Sequence, residues 1–388
     1  MTNRPIADDS GRATALFVRH LEESSMKIRL IASLLLVLLF TPRTFAGIRP
    51  SFNLDYCTWQ ATHIVVATEG DEIDGILTVL DSWKGDLRPG EQISIPELDA
   101  FKSLSSRELK DGIYGDKSHE PKKYVSGLRM ILFLKQKERS AETAPAARRD
   151  TPVDHQWEPA STSGITWSVV WIEGGEPFAF MQIMNPGPSL LTSYDESEQK
   201  LRERAFEVTQ IRQEVNEVVA IKDQSRRAES LEPFTTSGLY YARDLAFAEL
   251  QKCGPAALPV LRRMLKDPTL LNLHGSVIKA LTSVGGEKVA DELTALVKDE
   301  LEFWKVTGPR LNNEWWNGGE DAARREMLRD RYGKVLEALY SLRKLRAVGC
   351  KDVVTEFRDF WRSLPQLEDK RGLTQMSEEC DKILSELR

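Results

Sequence analysis

Cysteine and histidine are scarce in this chain, four and five among 388 residues. No two cysteines form a C-x-x-C pair, which removes the usual zinc knuckle and the dithiol redox motif. H-E-x-x-H, G-x-S-x-G, a Walker loop and a calcium loop closed by glutamate are missing as well. Gly285-Gly286-Glu287-Lys288 is too short for a phosphate loop and reads as a turn between helices. Beyond residue 46 the histidines are His63, His119, His155 and His274. Their spacing builds no metal site, and each reads as a structural or solvated side chain. No cofactor is implied. A basic excess is also lacking. Of 53 Lys and Arg, six lie in residues 1–46, as do four of 59 Asp and Glu, so the remainder carries 47 and 55, a formal net charge of −8. Nucleic acid as main partner needs the opposite balance. After residue 46 no apolar run approaches 18 residues, so no later segment is expected to span a membrane.

What is present begins with an export signal. Lys27 and Arg29 follow Met26, and Leu30–Phe40 is apolar except for Ser33. Pro42 breaks the run, and Thr44-Phe45-Ala46 offers small residues where a signal peptidase reads. Eleven residues span about 16 Å as a helix, against about 30 Å for a bilayer core. The run is therefore expected to be cleaved rather than kept as an anchor, with residues 1–46 as the signal and the mature chain starting near Gly47. Residues 1–25 are polar and sit awkwardly before such a signal, which suggests that translation starts at Met26. Cys57 follows Asp55-Tyr56, far from the apolar run, so a lipoprotein anchor does not fit. The address is periplasmic or extracellular.

About 340 mature residues suggest two domains, since domains commonly hold roughly 100–200 residues. Cys57, Cys253, Cys350 and Cys380 allow three disulfide pairings outside the cytoplasm, or four buried thiols. The first half reads as strands. Thr62–Thr68 is β-branched and apolar; Gly75–Trp83 follows an acidic turn; Lys84–Gly90 is a turn rich in Gly and Pro; Gln92–Pro96 alternates. Arg129–Leu134, Ile165–Ile172 and Phe178–Met184 are further candidates. Residues 99–123 and 137–161 read as insertions, the second mobile by composition. Ile165, Trp167, Val169 and Trp171 share one strand face and are expected in the core.

The stretch His63–Thr68, Val79-Leu80-Asp81-Ser82-Trp83-Lys84-Gly85, Gly90 and Arg129–Leu134 resembles bacterial netrin-like, tissue-inhibitor-like modules over roughly residues 55–185. That resemblance implies a small all-β barrel of the oligonucleotide-binding type. In the animal inhibitors of this class a cysteine pair at the N-terminus chelates a protease zinc. Here Cys57 stands alone, the eleventh residue after the expected cut.

The second half reads as helices. One long helix is expected from Asp195 to about Ser230, capped by Ser193 or Asp195, with Leu201, Ala205, Val208, Ile211, Val215 and Val218 on one apolar face. That face is expected to dock on the barrel; a coiled-coil dimer is the sharper alternative. From Leu239 the pattern becomes helix pairs joined at Gly254, Gly285 and Gly349, 31 and 64 residues apart. Glycine suits the left-handed end of a helix, and Pro255 suits the start of the next. This periodicity resembles HEAT-type repeats over residues 239–365, with an insertion at 307–323. The expected organisation is thus a signal over 1–46, a netrin-like β-barrel over 47–190, a connecting helix over 191–235 and a HEAT-like solenoid over 236–388.

Asn312-Asn313-Glu314-Trp315-Trp316-Asn317-Gly318-Gly319 sets two tryptophans among amides and glycines. Asn313, Trp315 and Trp316 are the candidate binding residues, since tryptophan faces and amides suit peptide or sugar contact. No catalytic or metal-ligating residue is singled out. The expected function is that of a non-enzymatic protein-binding or scaffold protein acting on another envelope or extracellular protein. An envelope hydrolase with a dispersed site and a metalloprotease inhibitor are the alternatives. Mass spectrometry of the exported protein should find an N-terminus near Gly47; membrane-bound protein still starting at Met1 or Met26 would contradict the signal reading.

Overall fold

The computed structural model describes residues 52–70, 75–95, 129–136, 157–161, 168–182, 189–194, 196–311, 322–364 and 376–387. The first part holds a short helix, α1 (Leu54–Gln60), and eight strands. These are β1 (His63–Glu69), β2 (Ile76–Lys84), β3 (Gln92–Ser94), β4 (Arg129–Gln136), β5 (Trp157–Pro159), β6 (Val169–Glu173), β7 (Glu176–Gln182) and β8 (Ser189–Ser193). They form one antiparallel sheet in the order β3-β2-β1-β4-β6-β7-β8, with β5 added on β4.

The central strands are buried on both faces, which is why they read as continuous apolar runs and not as alternation. On β1 and β4, Val65, Ala67, Met130, Leu132 and Leu134 pack to one side with Val169 and Trp171 of β6. Ile64, Val66, Ile131 and Phe133 pack to the other, joined by Val170, Ile172 and Ala179. This second face is covered by Phe52, Leu54, Cys57 and Ala61 around α1, and by Leu201 and Ala205 of the next helix. Val169 and Trp171 thus take the core positions expected of them; Ile165 and Trp167 lie outside the described residues.

Two expectations for this part are corrected. The sheet is open and not a closed barrel. Closure requires the end strands to pair, and among the described residues β3 hydrogen-bonds only to β2 and β8 only to β7. The expected long helix is two helices, α2 (Glu198–Val219) and α3 (Gln224–Thr235). Asp223 starts the second by accepting the Arg226 N–H at 2.7 Å, and Ser197, not Ser193 or Asp195, caps the first. Ser193 is instead the last residue of β8.

The second part continues with α4 (Tyr240–Lys252), α5 (Leu258–Lys266), α6 (His274–Gly285), α7 (Ala290–Thr307), α8 (Ala322–Lys344), α9 (Lys351–Arg362) and α10 (Met376–Glu386). Helix α4 contacts α6, α6 contacts α8, α8 contacts α10, and α7 contacts α9. One core runs through them, from Ala246 and Leu250 to Trp304, Leu339, Phe357 and Ile383. Three junctions share one plan: a helix, a left-handed residue, a 3-10 turn and a second helix. The left-handed residues are Gly254 (φ +58°), Gly286 (φ +55°) and Arg346 (φ +50°). The 3-10 turns are Gly254–Ala257, Gly286–Val289 and Val348–Cys350. Gly285 and Gly349, expected at the left-handed positions, do not hold them. Gly285 is needed for a different reason, because a Cβ there would meet Val289 at 2.3 Å.

Buried charge fixes the register between helices. Glu300 of α7, only 3% exposed, accepts from Arg331 at 2.9 and 3.1 Å and from Lys334 at 3.0 Å, both on α8. The Arg331 guanidinium lies 3.9 Å above the Phe303 ring centroid. Glu379 of α10 is likewise buried against Arg343 of α8. Removing one partner of such a pair would leave an uncompensated buried charge, so the helices that carry them are held to this arrangement.

Candidate functional site

Helix α2 lies against the covered face of the sheet, and its charged residues meet opposite charges on the elements it crosses. Glu198 pairs with Arg129 of β4 at 2.8 Å, and Arg202 pairs with Asp81 of β2 at 3.3 Å. Arg204 grips Asp55 of α1 through two bonds of 2.7 Å. Further along the seam the pattern stops. Arg212 of α2 and Lys84 at the end of β2 are half-buried, and neither makes an ion pair with a described residue.

These two cations line a groove of about 560 Å³ together with Ala61, Thr62, Thr209, Gln213, Asn216, Glu217 and Ala220. Each takes one carbonyl at the end of α1. Lys84 Nζ donates to Thr58 O at 3.1 Å, and Arg212 Nη1 donates to Ala61 O at 3.4 Å. Carbonyls at a helix C-terminus lack intrahelical partners and favour cations. The Arg212 guanidinium also sits 5.8 Å from the centroid of the Trp59 ring. Burial, then the nearby Arg212 charge, lowers the Lys84 ammonium from its ordinary 10.5 to about 8. Burial lowers Arg212 as well.

Lys84 is placed by a glycine turn. Gly85 has φ +93°, and a Cβ built on it would lie 2.1 Å from Cδ2 of His63. The His63 ring therefore packs flat against the turn, with Trp157 edge-on at 4.4 Å. Its Nε2 meets Asp86 Oδ1 at 2.8 Å and its Nδ1 meets Thr62 Oγ1 at 3.0 Å. The hydrogen bond from His63 holds the Asp86 carboxyl below the usual carboxylate range. The order Asp86, His63, Thr62 matches that of a proton relay, but the hydroxyl is committed elsewhere. Thr62 Oγ1 donates to Leu134 O at 3.3 Å and accepts the Gln136 N–H at 2.9 Å. The trio fastens the β2 turn to β4, in line with the structural role expected of His63.

The other expected candidates fall as follows. Asn313, Trp315 and Trp316 lie outside the described residues; the chain leaves at Leu311 and returns at Ala322, the start of α8. The four cysteines are buried, and none is in a disulfide. Burial raises the thiols of Cys57 and Cys380 to about 12, which leaves them protonated and unreactive. Among the described residues no group of three or more His, Cys, Asp or Glu is placed to hold a metal ion. His274 is buried at the head of α6, its Nε2 on Asp267 O at 2.9 Å. Sequence reasoning missed the groove. Its only trace there is Arg212, four residues after Val208, a cation at the border of the α2 apolar stripe.

The comparisons with known proteins return no match, neither a family model, nor a curated protein, nor a solved structure. The functional reading therefore rests on the residues and their geometry.

The turn can be tested against a neighbour. Gly90 is also left-handed, at φ +89°, but a Cβ there meets nothing within 4 Å. Gly90→Ala should show backbone strain alone, about 1–3 kcal/mol. Gly85→Ala should lose more in the same urea titration, since it must also displace His63; equal losses would show that the His63 contact carries no weight.

Proposed function

We propose that this chain is an exported, non-enzymatic binding protein that uses its helical part to hold another envelope or extracellular protein. Export is argued from the charged, apolar and small-residue order of residues 26–46. The sheet part is read as an open relative of netrin-like modules, and the helical part as a HEAT-like array. The observation that carries this reading is the threefold recurrence of one helix–turn–helix junction, at Gly254, Gly286 and Arg346. Repeated pairs bury their faces on one another and leave a long outer surface, the part such proteins use for partners.

The connection between α7 and α8 is one of two long ones in the helical part, the other joining α9 to α10, and it carries Asn313, Trp315 and Trp316. Extra residues in repeat proteins collect in such loops, often on the binding face, and tryptophan is enriched in binding hot spots. In this reading the two tryptophans anchor the partner.

Replacing both tryptophans by alanine separates binding from packing. The double variant should melt within a few degrees of the parent and fail to retain, from the source envelope fraction, the protein that the parent retains. A stability loss near the roughly 3–5 kcal/mol typical of one buried aromatic removed would instead make them core residues.

A further inference from the structure

The seam between sheet and α2 sets a contrast that calls for a ligand. Arg129, Arg202 and Arg204 each meet a carboxylate across it. Among the described residues Lys84 and Arg212 meet no carboxylate, although the chain has six more acids than bases. Two half-buried like charges repel and lose hydration, a standing penalty unless an opposite charge arrives. The carbonyls of α1 use one N–H of each, so Lys84 keeps two donors and Arg212 four. The Arg212 guanidinium carbon lies 5.8 Å from the Trp59 ring centroid, within reach of a cation–π attraction that favours this position of the charge. Asn216 adds a side-chain amide that makes no hydrogen bond to a described residue.

We propose that this groove is a binding site for a small molecule or chain end carrying a carboxylate or phosphate group, with Lys84 and Arg212 taking the oxyanion. An Arg fork beside a Lys point charge is a fitting donor set for either group. The groove volume of about 560 Å³ suits a small organic ligand and not a bare ion. Among the described residues Glu217 is the one carboxylate lining it, held by Gln213 Nε2 at 3.0 Å, and it sets a repulsive limit on the charge accepted. The site is separate from the helical surface proposed above and does not depend on it.

The charge on Lys84 gives the site a pH signature. The charged groups facing it are Arg212 and Glu217 of α2, while α1 presents the Thr58 carbonyl. With the ammonium lowered to about 8, raising the pH from 7 to 9 removes its proton in the free protein. Oxyanion binding must therefore weaken across that window, and a bound oxyanion must draw the proton back.

The test is a calorimetric titration of the whole mature protein with inorganic phosphate and with N-acetylglycine, using chloride as control. At least one of the two probes should bind saturably. Lys84→Met and Arg212→Gln should each weaken it by about tenfold or more, and Glu217→Gln should tighten it. Affinity should fall between pH 7 and 9 in the parent but not in Lys84→Met. Phosphate alone binding assigns a phosphoester, and N-acetylglycine alone assigns a carboxylate. Lys84→Met removes a desolvated charge, so its melting temperature should hold or rise, which keeps the variant informative. If neither probe binds, if chloride competes equally, or if the variants bind like the parent, the site does not exist. A destabilised Lys84→Met with no probe binding would mean that the cations only cap α1.

Discussion

The apolar stripe of α2 is the constraint on which the rest depends. Its first turns bury Leu201 and Ala205 against the sheet, with Ile64, Ile131 and Phe133. Its later turns bury Val208 and Val215 against Trp59, Leu239 and Ala242, the start of the helical part. One helix therefore covers a β-face and receives the helices that follow. Its 22 residues reach about 33 Å at 1.5 Å per residue, enough to serve both. A coiled-coil use of the stripe is excluded, because the chain itself covers it.

The groove is a by-product of that geometry. Where α2 runs past the end of α1 and the end of β2, three elements converge without filling the space between them. The ion pairs of Arg129, Arg202 and Arg204 hold α2 in register, each modest in energy at such exposure. Lys84 is then fixed by a turn in which Gly85 and His63 fit face to face. In the helical part the Glu300–Arg331–Lys334 cluster has the same office, setting α8 against α7. In that cluster each cation reaches a buried carboxylate, whereas among the described residues Lys84 and Arg212 reach only backbone carbonyls, and this difference separates a packing device from a site.

Much of the fold was legible because local pattern and tertiary use agree. The runs Thr62–Thr68, Gly75–Trp83 and Arg129–Leu134 became β1, β2 and β4 within a residue or two at most ends. The stripe from Leu201 to Val215 was legible from spacing alone. What failed was whatever the chain decides at a distance. Helix α1 and strand β5 are short, and β8 lies in a stretch with turn-forming Pro186 and Gly187 just before it. Sheet closure depends on whether β3 and β8 meet, which no local pattern encodes. The left-handed position lies at Gly286 and not Gly285, which is a glycine for its close approach to Val289, and at Arg346 and not Gly349, without a glycine at all. The groove was illegible because it joins residues 61–62, 84 and 209–220, and an unpaired cation is visible only once its neighbours are known.

Native-state hydrogen exchange under mild denaturant tests most directly whether α2 holds the two parts together. Ile64 and Val66 of β1 and Ile131 and Phe133 of β4 share one core with Leu201 and Ala205 of α2, so the amides of β1 and β4 should open in the same step as those of Leu201–Val215, with one free energy and one denaturant slope. Exchange of α2 in an early step that leaves β1 and β4 fully protected would contradict the account, since the sheet would then not need the helix that covers it.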